Sequence, residues 1–386
     1  MLEKALKGSK GYYGWIAALL AAMGTGFLFY LWQLSFGMAI TGMSRDVSWG
    51  FYIAQFTFFA GVAASSHLLA LPFYLHDFKG FGKIAVLGSF LSVASVSMCL
   101  LFIFVDLGQP TRILNMLLYP TPGSVLFWDM IILNGHLILS IIIGWQVLEA
   151  ERNDVPPPFW VKPLIWFAIP WAVGFHTVTA FLYAGLPGRD FWLSALLAPR
   201  FLASALASGP AVLILACLII GKLTGYTPGR RPIQTLAKIV AVAAGVNLLF
   251  FLCEVFVAFY SRIPAHMNHF IYLFFGLQGQ DAMVPWMWSS LWMSVTGIFL
   301  LAVPTTRKNE TVLAVACVAV FAGAWIDKGM GTIAGGFIPS PLNHVTEYLP
   351  TVPEVMIGLG VWATGLLILT VLFKIAIGIR REAAGR

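Results

Sequence analysis

Residues 84–106 read IAVLGSFLSVASVSMCLLFIFVD, with a single charged residue, Asp106, at the last position. A helix needs about 20 mostly apolar residues to cross the hydrocarbon core of a bilayer. One this apolar on every side has no polar face to turn to water. Working outward, nine further runs share the character, at about 15–40, 49–75, 124–148, 160–184, 194–222, 235–261, 285–304, 311–327 and 353–377. The whole chain agrees: 59% of its 386 residues are hydrophobic and 10% are charged. Soluble domains carry about 45–50% apolar residues and about 25% charged ones. That excludes a soluble globule, and the apolar content excludes a disordered chain. The expectation is an all-α integral membrane protein with about ten transmembrane helices, placed in the cytoplasmic membrane as a multi-pass protein.

The runs are separated by turn-rich or charged breaks: GMSRDVS, HDFKGFGK, NDVPPP, GLPGRD, TGYTPGRRP and TTRKNE. The ninth run is short, and GMGTIAGGF after it either extends it or forms a surface hairpin. HMNHFIYLFFGL (266–277) is too short to cross and reads as an interfacial or re-entrant piece. The first run follows Lys4, Lys7 and Lys10 but exceeds a 7–15-residue signal core, so it reads as an uncleaved first span. Ordering the breaks by side puts seventeen Lys and Arg on one face and six on the other: Arg45, Arg112, Arg189, Arg200, Arg262 and Lys328. Under the positive-inside rule both termini are then cytoplasmic. The net charge of +7 reflects this bias, and no nucleic-acid partner is expected. The four cysteines (99, 217, 253 and 317) fall inside spans without paired spacing. That excludes CxxC metal or cluster ligation and covalent haem attachment.

Laying Trp49 on Trp192 aligns SWGFYIAQFTFFAGVAASSHLL with FWLSALLAPRFLASALASGPAV, so that GVAAS (61–65) coincides with SALAS (204–208). Small residues let membrane helices approach closely. The match suggests a parallel repeat: one four-helix bundle over 1–150, a second over 151–310, and two additional helices over 311–386. Generic small-residue packing would produce the same match.

Ionisable residues inside spans are expensive and mark function by default. Towards the outer side lie Gln33, Gln55, Asp106, Arg112, Asp129, His176, Arg200, Glu254 and Glu354. Deeper lie His67, Asn134, His136 and Asn247, with His76 and Asp77 at the cytoplasmic mouth. Asp106 and Arg112 flank Pro110 and can pair. Asp129, beside Trp128, can cap its helix. His176, His67 and His136 read either as core histidines bonded to neighbouring helices or as proton carriers. Glu254 has no cation one turn away. No phosphate loop, dinucleotide fingerprint or metal-ligand cluster is present. A quinone suits such residues: its headgroup needs a donor near each carbonyl, its ring needs flat apolar walls, and histidine can exchange its protons near neutral pH. Trp49, Tyr52, Phe56 and Trp128 can supply walls.

Four stretches resemble the NrfD/PsrC-like (polysulfide reductase membrane subunit) family along essentially the whole chain: SWGFYIAQFTFFAGVAAS, DLGQPTR followed by SVLFWD, GFHTVTAFLYAGLPGRDFWLSALLAPRFLASALASG, and IDKGMGTIAGGFIPSPLNHVTEYLPTVPE. The third and fourth look closest to the ten-span DsrP/HmeB/HmcC branch of DsrMKJOP- and Hme/Hmc-type complexes. The resemblance implies a respiratory subunit, catalytically incomplete alone, that binds no haem or iron–sulfur cluster. It would exchange electrons between menaquinone and a ferredoxin-like iron–sulfur subunit on the outer face. Further implied partners are a multihaem cytochrome c, a haem-b membrane subunit and a cytoplasmic Hdr-like iron–sulfur subunit. A sulfate- or sulfite-reduction-linked complex is the expected setting. By motif position Trp49, Tyr52, Gln55, Phe56, Arg112, Trp128 and His176 match the quinone pocket, with His176, Asp129 and Asp106 as its proton-exchanging groups. Where relatives carry an Asn and a His on the helix corresponding to span 2, this chain has Gln55 and Phe56. A proton route through His136 and His67 to His76 and Asp77, with Glu254, is a further expectation. A secondary transporter, or a haem-b cytochrome using His67 and His136, are the competing readings.

Overall fold

Because lipid offers no hydrogen bonds, each crossing segment closes its backbone bonds within itself as a helix, and short polar breaks turn the chain back. The computed structural model describes residues 3–69 and 82–384. Its long helices are α1 (Lys10–Phe36), α2 (Phe51–Leu68), α3 (Gly82–Asp106), α4 (Val125–Asn153), α5 (Val161–Ala184), α6 (Leu197–Thr224), α7 (Arg230–Ser261), α8 (Val284–Ala302), α9 (Glu310–Phe337) and α10 (Val352–Ala384). The short helix Pro264–Phe275 lies between α7 and α8. The protein is a multi-pass membrane protein: among the described residues, nine helices are long and apolar enough to cross a bilayer.

The remaining long helix, α2, carries Gln55, Thr57, Ser65, Ser66 and His67, which lower its hydropathy. It tolerates them because every residue from Tyr52 to Leu68 is buried. α3, α5, α6 and the second half of α9 surround it, so it meets protein where the other helices meet lipid. Close approach comes from the small residues. At Gly61 the α6 backbone at Ala205 lies 3.5 Å from where a side chain would begin, and Gly209 of α6 packs on Ser65 and Val62 of α2. The two runs that suggested an internal repeat therefore pack on each other. α10 lies on α1 and α3, and α9 on α6 and α8.

The ends Phe36, Phe51, Asp106, Val125, Ala184 and Leu197 lie at one end of the helix stack, here called the loop end. The segment 338–351 covers it. Glu354, fully buried, accepts hydrogen bonds from the backbone N–H of Gly42 (2.8 Å) and Thr351 (2.8 Å) and from the Tyr348 hydroxyl (2.6 Å). Tyr348 in turn accepts from the Phe51 N–H that opens α2 (2.7 Å). Burial, and then the Glu354 carboxylate, push the Tyr348 phenol well above its ordinary pKa, so it stays a donor. Glu354 is thus the knot of this covering loop.

Three sequence expectations change here. The ninth span does not end near 327: a π-helical turn, Trp325–Gly331, carries it on into Thr332–Phe337. Lys328, counted as an outer-loop residue, is therefore inside the helix stack and 2% exposed. Arg200, counted on the same surface, is buried in α6. Four of the six Lys and Arg counted on that side then remain at the surface; on the other side Arg307 and Arg380 are buried as well.

Candidate functional site

Helical spacing lines polar side chains along the faces turned towards α2. On α4 they are Asp129, His136 and Ser140; on α5, His176, Thr179 and Tyr183; on α3, Ser92, Ser95, Cys99 and Asp106. Steps of three, four or seven residues return to one face of a helix, so each helix presents a polar ridge to the buried centre.

At the loop end the Tyr52 hydroxyl donates to Gln33 Oε1 (2.7 Å), and Gln33 Nε2 donates to the Val105 carbonyl (2.6 Å). Asp106 follows Val105, with its Oδ1 buried and unpartnered; the Tyr30 hydroxyl is unpartnered too. Next to them Thr57 and Tyr183 join hydroxyl to hydroxyl. The Thr179 hydroxyl donates to Asp129 Oδ1 at 2.8 Å. Trp49, Tyr183, Trp192 and Phe337 close the loop end as a cluster of mostly edge-on rings with centroids 5.1–6.0 Å apart. Gln55 faces the other way: its Oε1 accepts from the indoles of Trp325 (2.8 Å) and Trp362 (3.1 Å), and its Nε2 is unpartnered.

Deeper in the stack the π turn of α9 delivers two adjacent residues to two different places. Asp327 takes two hydrogen bonds from Arg200 (2.7 and 2.9 Å), and Arg200 also donates to Glu254 at 2.6 Å. Lys328 reaches the opposite way. Its Nζ is 2.6 Å from His176 Nε2 and 3.2 Å from the Phe201 carbonyl, and Gly61 makes room for it. π turns widen the helix and re-aim side chains, often at functional sites; here the Thr332 hydroxyl bonds back to the Asp327 carbonyl (3.1 Å). Arg200 also approaches a cleft in the second half of the chain, lined by Asn247, Phe251, Phe274, Met287, Ser290 and Asp327.

On the side away from the loop end, His136 and His67 are connected. His136 Nε2 lies 3.1 Å from Ser92 Oγ, Ser92 Oγ is 2.9 Å from Ser140 Oγ, and Ser140 Oγ is 3.1 Å from His67 Nε2. Ser140 donates its own hydrogen to the His136 carbonyl (2.8 Å), so it accepts from the other two. The two imidazoles touch edge to face with centroids 4.8 Å apart. They do not flank a slot for a porphyrin, and the haem reading of this pair does not fit.

Among the described residues, six buried atoms without partners lie on α1–α5 (Tyr30 Oη, Gln55 Nε2, Ser95 Oγ, Asp106 Oδ1, His136 Nδ1 and His176 Nδ1), and three lie elsewhere, on Asn247, Tyr272 and Lys374. Unsatisfied buried polar groups are rare and need a reason. Beside the six atoms on α1–α5 stand Asp106, the buried groups Asp129 and His176 and, from α9, buried Lys328. Residues 39–330, which take in α2–α5 but not α1, match the family described as "Polysulphide reductase, NrfD".

The chain belongs to the NrfD family.

Similar proteins include a putative dimethyl sulfoxide reductase membrane subunit of Halobacterium salinarum, 26% identical over 92% of this chain and 89% of that protein. A selenate reductase subunit of Mesobacillus selenatarsenatis is 25% identical over 76% and 73%. The Hdr-like menaquinol oxidoreductase integral membrane subunit of Archaeoglobus fulgidus is 26% identical over 62% and 58%. The NrfD match starts in the loop before α2 and ends inside the π turn, so Asp106, Asp129, His176, Arg200 and Lys328 all lie within it.

Not every sequence-derived site residue joins the buried centre of this NrfD chain. Tyr52, Gln55, Phe56, Asp129, His136, His67 and His176 are buried there, and Asp106 opens onto it. Arg112 is exposed on the turn Pro110–Arg112, and among the described residues no ion pair joins it to Asp106, against the expected pairing. Trp128 is half-exposed, its indole N–H bonded to the Pro122 carbonyl at 2.8 Å. Trp128 lies in the first turn of α4 and Arg112 on the turn after α3, so both sit at helix ends outside the buried centre. Glu254 is not free to carry protons along the histidine route: its cation comes from α6, not from its own helix. His76 and Asp77 lie outside the described residues. Sequence reading missed Lys328, since a lysine following a short apolar run looks like a loop residue; the glycines of GMGTIAGG were the available signal of close packing.

Proposed function

We propose that this chain is the quinone-reactive membrane subunit of an oxidoreductase complex, exchanging electrons between menaquinol and a ferredoxin-like iron–sulfur subunit docked at the loop end. The observation that carries the reading is the set of unpartnered buried polar atoms on α1–α5, bordered by Asp106, Asp129 and His176 and capped by aromatic rings. A quinone headgroup supplies the acceptors and, when reduced, the donors that such atoms lack. Tyr52, Phe56 and Trp49 stand as its walls, while Gln55 is turned away towards Trp325 and Trp362. His176, Asp129 and Asp106 serve as its proton-exchanging groups. The name of the Archaeoglobus relative, a menaquinol oxidoreductase subunit, supports the substrate class. Protons then leave at the loop end or pass through His136, Ser92, Ser140 and His67 towards His76 and Asp77.

The finer setting, a sulfate- or sulfite-reduction-linked complex of Dsr or Hme type, rests on motif resemblance and that same relative. A multihaem cytochrome c, a haem-b protein and a cytoplasmic Hdr-like protein that co-purify with the chain would support it. Co-purification with a molybdenum-type reductase instead would overturn it. We also propose that the loop end faces outward and the termini inward, from the Lys and Arg asymmetry. In intact cells a membrane-impermeant maleimide then labels Leu342→Cys and leaves Lys308→Cys unlabelled; the reverse pattern inverts the orientation.

The site itself is tested by Asp129→Asn. The amide oxygen still accepts from Thr179, so the fold keeps its hydrogen bond and loses only the ionisable carboxyl. Quinol-dependent reduction of the partner's iron–sulfur clusters is expected to fall at least roughly tenfold, within the range for loss of a proton-exchanging group. An unchanged rate removes Asp129 from the site. Purified complex that never oxidises a menaquinol analogue overturns the quinone reading altogether.

A further inference from the structure

Lys328 sits in the middle of the helix stack, where a charged side chain is expensive, and among the described residues no carboxylate forms an ion pair with it. Both oxygens of Asp327 are taken by Arg200, and the Asp129 oxygen nearest Thr179 is taken by its hydroxyl. The neighbours of Nζ are instead His176 Nε2 (2.6 Å), the Phe201 carbonyl (3.2 Å) and the Phe201 ring (4.7 Å to its centroid). The absence of a side chain at Gly61 lets α2 pack directly on the amine: a Cβ there would stand 2.6 Å from Nζ.

Hydrogen counting at His176 is restrictive. A carbonyl only accepts and an ammonium only donates, yet Nε2 lies 2.7 Å from the Phe201 carbonyl and 2.6 Å from Nζ. With Lys328 charged, Nε2 must be bare to accept its hydrogen, and the single proton of the neutral ring sits on Nδ1. That nitrogen is buried without a partner, so the N–H is available to a group the chain does not itself provide. With Lys328 neutral its lone pair can accept, so Nε2 can carry hydrogen and donate to the amine or to Phe201, which makes Nδ1 an acceptor. The Phe201 carbonyl serves both arrangements.

We propose that Lys328 is the positioning residue of the site and the far end of a one-proton relay through His176. This rests on the quinone reading for the identity of the headgroup. Beside an oxidised headgroup, Lys328 is an ammonium donating to Nε2, and Nδ1–H donates to the headgroup oxygen. When the headgroup is oxidised from quinol, its O–H bond breaks and the proton goes to Nδ1. The Nε2–H bond breaks in the same exchange, and that proton goes to the Lys328 amine. The electron pair leaves to the iron–sulfur partner. The relay accounts for one of the two quinol protons and leaves the other to the Asp106 and Asp129 side. The charged and titratable groups around the pair are Arg200 on α6, Asp327 on the π turn, Cys99 on α3, and Asp129 and His136 on α4.

The test is the tautomer of His176 in the full chain, ¹⁵N-histidine-labelled in lipid, with the resonance assigned by its loss in His176→Phe. The unmodified chain is expected to protonate Nδ1. In Lys328→Met the only neighbour left to Nε2 is a carbonyl, so the proton is expected to move to Nε2. Quinol oxidation by the complex then loses about tenfold in kcat, with KM changed less than about threefold. Gly61→Ala displaces the flexible end of Lys328 and keeps both functional side chains; it is expected to shift the tautomer in the same direction with a smaller kcat loss. It carries the test if Lys328→Met does not accumulate. The same tautomer in all three chains overturns the proposal, as does a variant with the shifted tautomer and unchanged kcat. Wild-type complex that ignores quinol overturns the substrate reading instead and leaves the tautomer comparison to judge the lysine.

Discussion

Replacing His176 by Phe abolishes quinol-dependent reduction of the iron–sulfur partner while the complex still assembles. The imidazole is fully buried among Phe175, Phe201 and Lys328, in surroundings that accept a phenyl ring of similar size. Its chemistry has no substitute there: nothing else on α5 can exchange a proton with both a headgroup and Lys328. A group positioned for proton transfer contributes about 10²–10⁴-fold in rate, and a loss of that size is expected. Among the described residues the substitution leaves Lys328 with the carbonyl and ring of Phe201, and an uncompensated buried charge is destabilising. The double variant His176→Phe/Lys328→Met removes that side effect. It should assemble as well as the unmodified chain, judged by co-purifying subunits, and be equally inactive. Near wild-type electron transfer in either variant would falsify the assignment of His176.

Arg200→Met produces the largest loss of stability. Arg200 is shared by Glu254 at 2.6 Å and by both oxygens of Asp327, and its guanidinium lies 5.1 Å from the centroid of Phe251. Removing one partner of a buried ion pair costs about 3–5 kcal/mol because the other charge stays behind; here two carboxylates are left. Neutralising the whole group, Arg200→Met with Glu254→Gln and Asp327→Asn, removes the stranded charges and should recover most of the loss. Thermal unfolding in lipid nanodiscs followed by helix content measures both. A single variant as stable as the unmodified chain would mean that the triad carries no stability. Asp327 precedes Lys328, so freeing its carboxylate should also draw the lysine away from His176. Residual Arg200→Met complex is therefore expected to be slow in quinol oxidation as well as unstable.

The helix stack was legible because hydropathy acts locally: twenty apolar residues in a row have one stable arrangement in a bilayer, whatever their neighbours. The small-residue runs at 61–65 and 204–208 were legible for a related reason, since a missing side chain signals a close crossing. α2 was the harder case, as Gln55, Thr57 and His67 are tolerable only once the helix is wrapped by α3, α5, α6 and α9. Partner choice among charges was not legible. Asp106 and Arg112 are close in sequence and do not pair, whereas Arg200 pairs with acids 54 and 127 positions away.

The sequence by itself determined that this chain is a helical membrane protein, and its motifs pointed to the family. Both follow from residue types and short-range order. Only the tertiary structure decided that Lys328 enters the helix stack rather than a loop, that it meets His176 rather than an acid, and that Glu254 is a counter-ion. The first two outcomes turn on one π turn in α9, which sends two adjacent side chains towards different helices, and the third on the packing of α7 against α6. In a low-dielectric interior the cost of an unpaired charge is large, so partners are set by three-dimensional proximity and not by spacing along the chain.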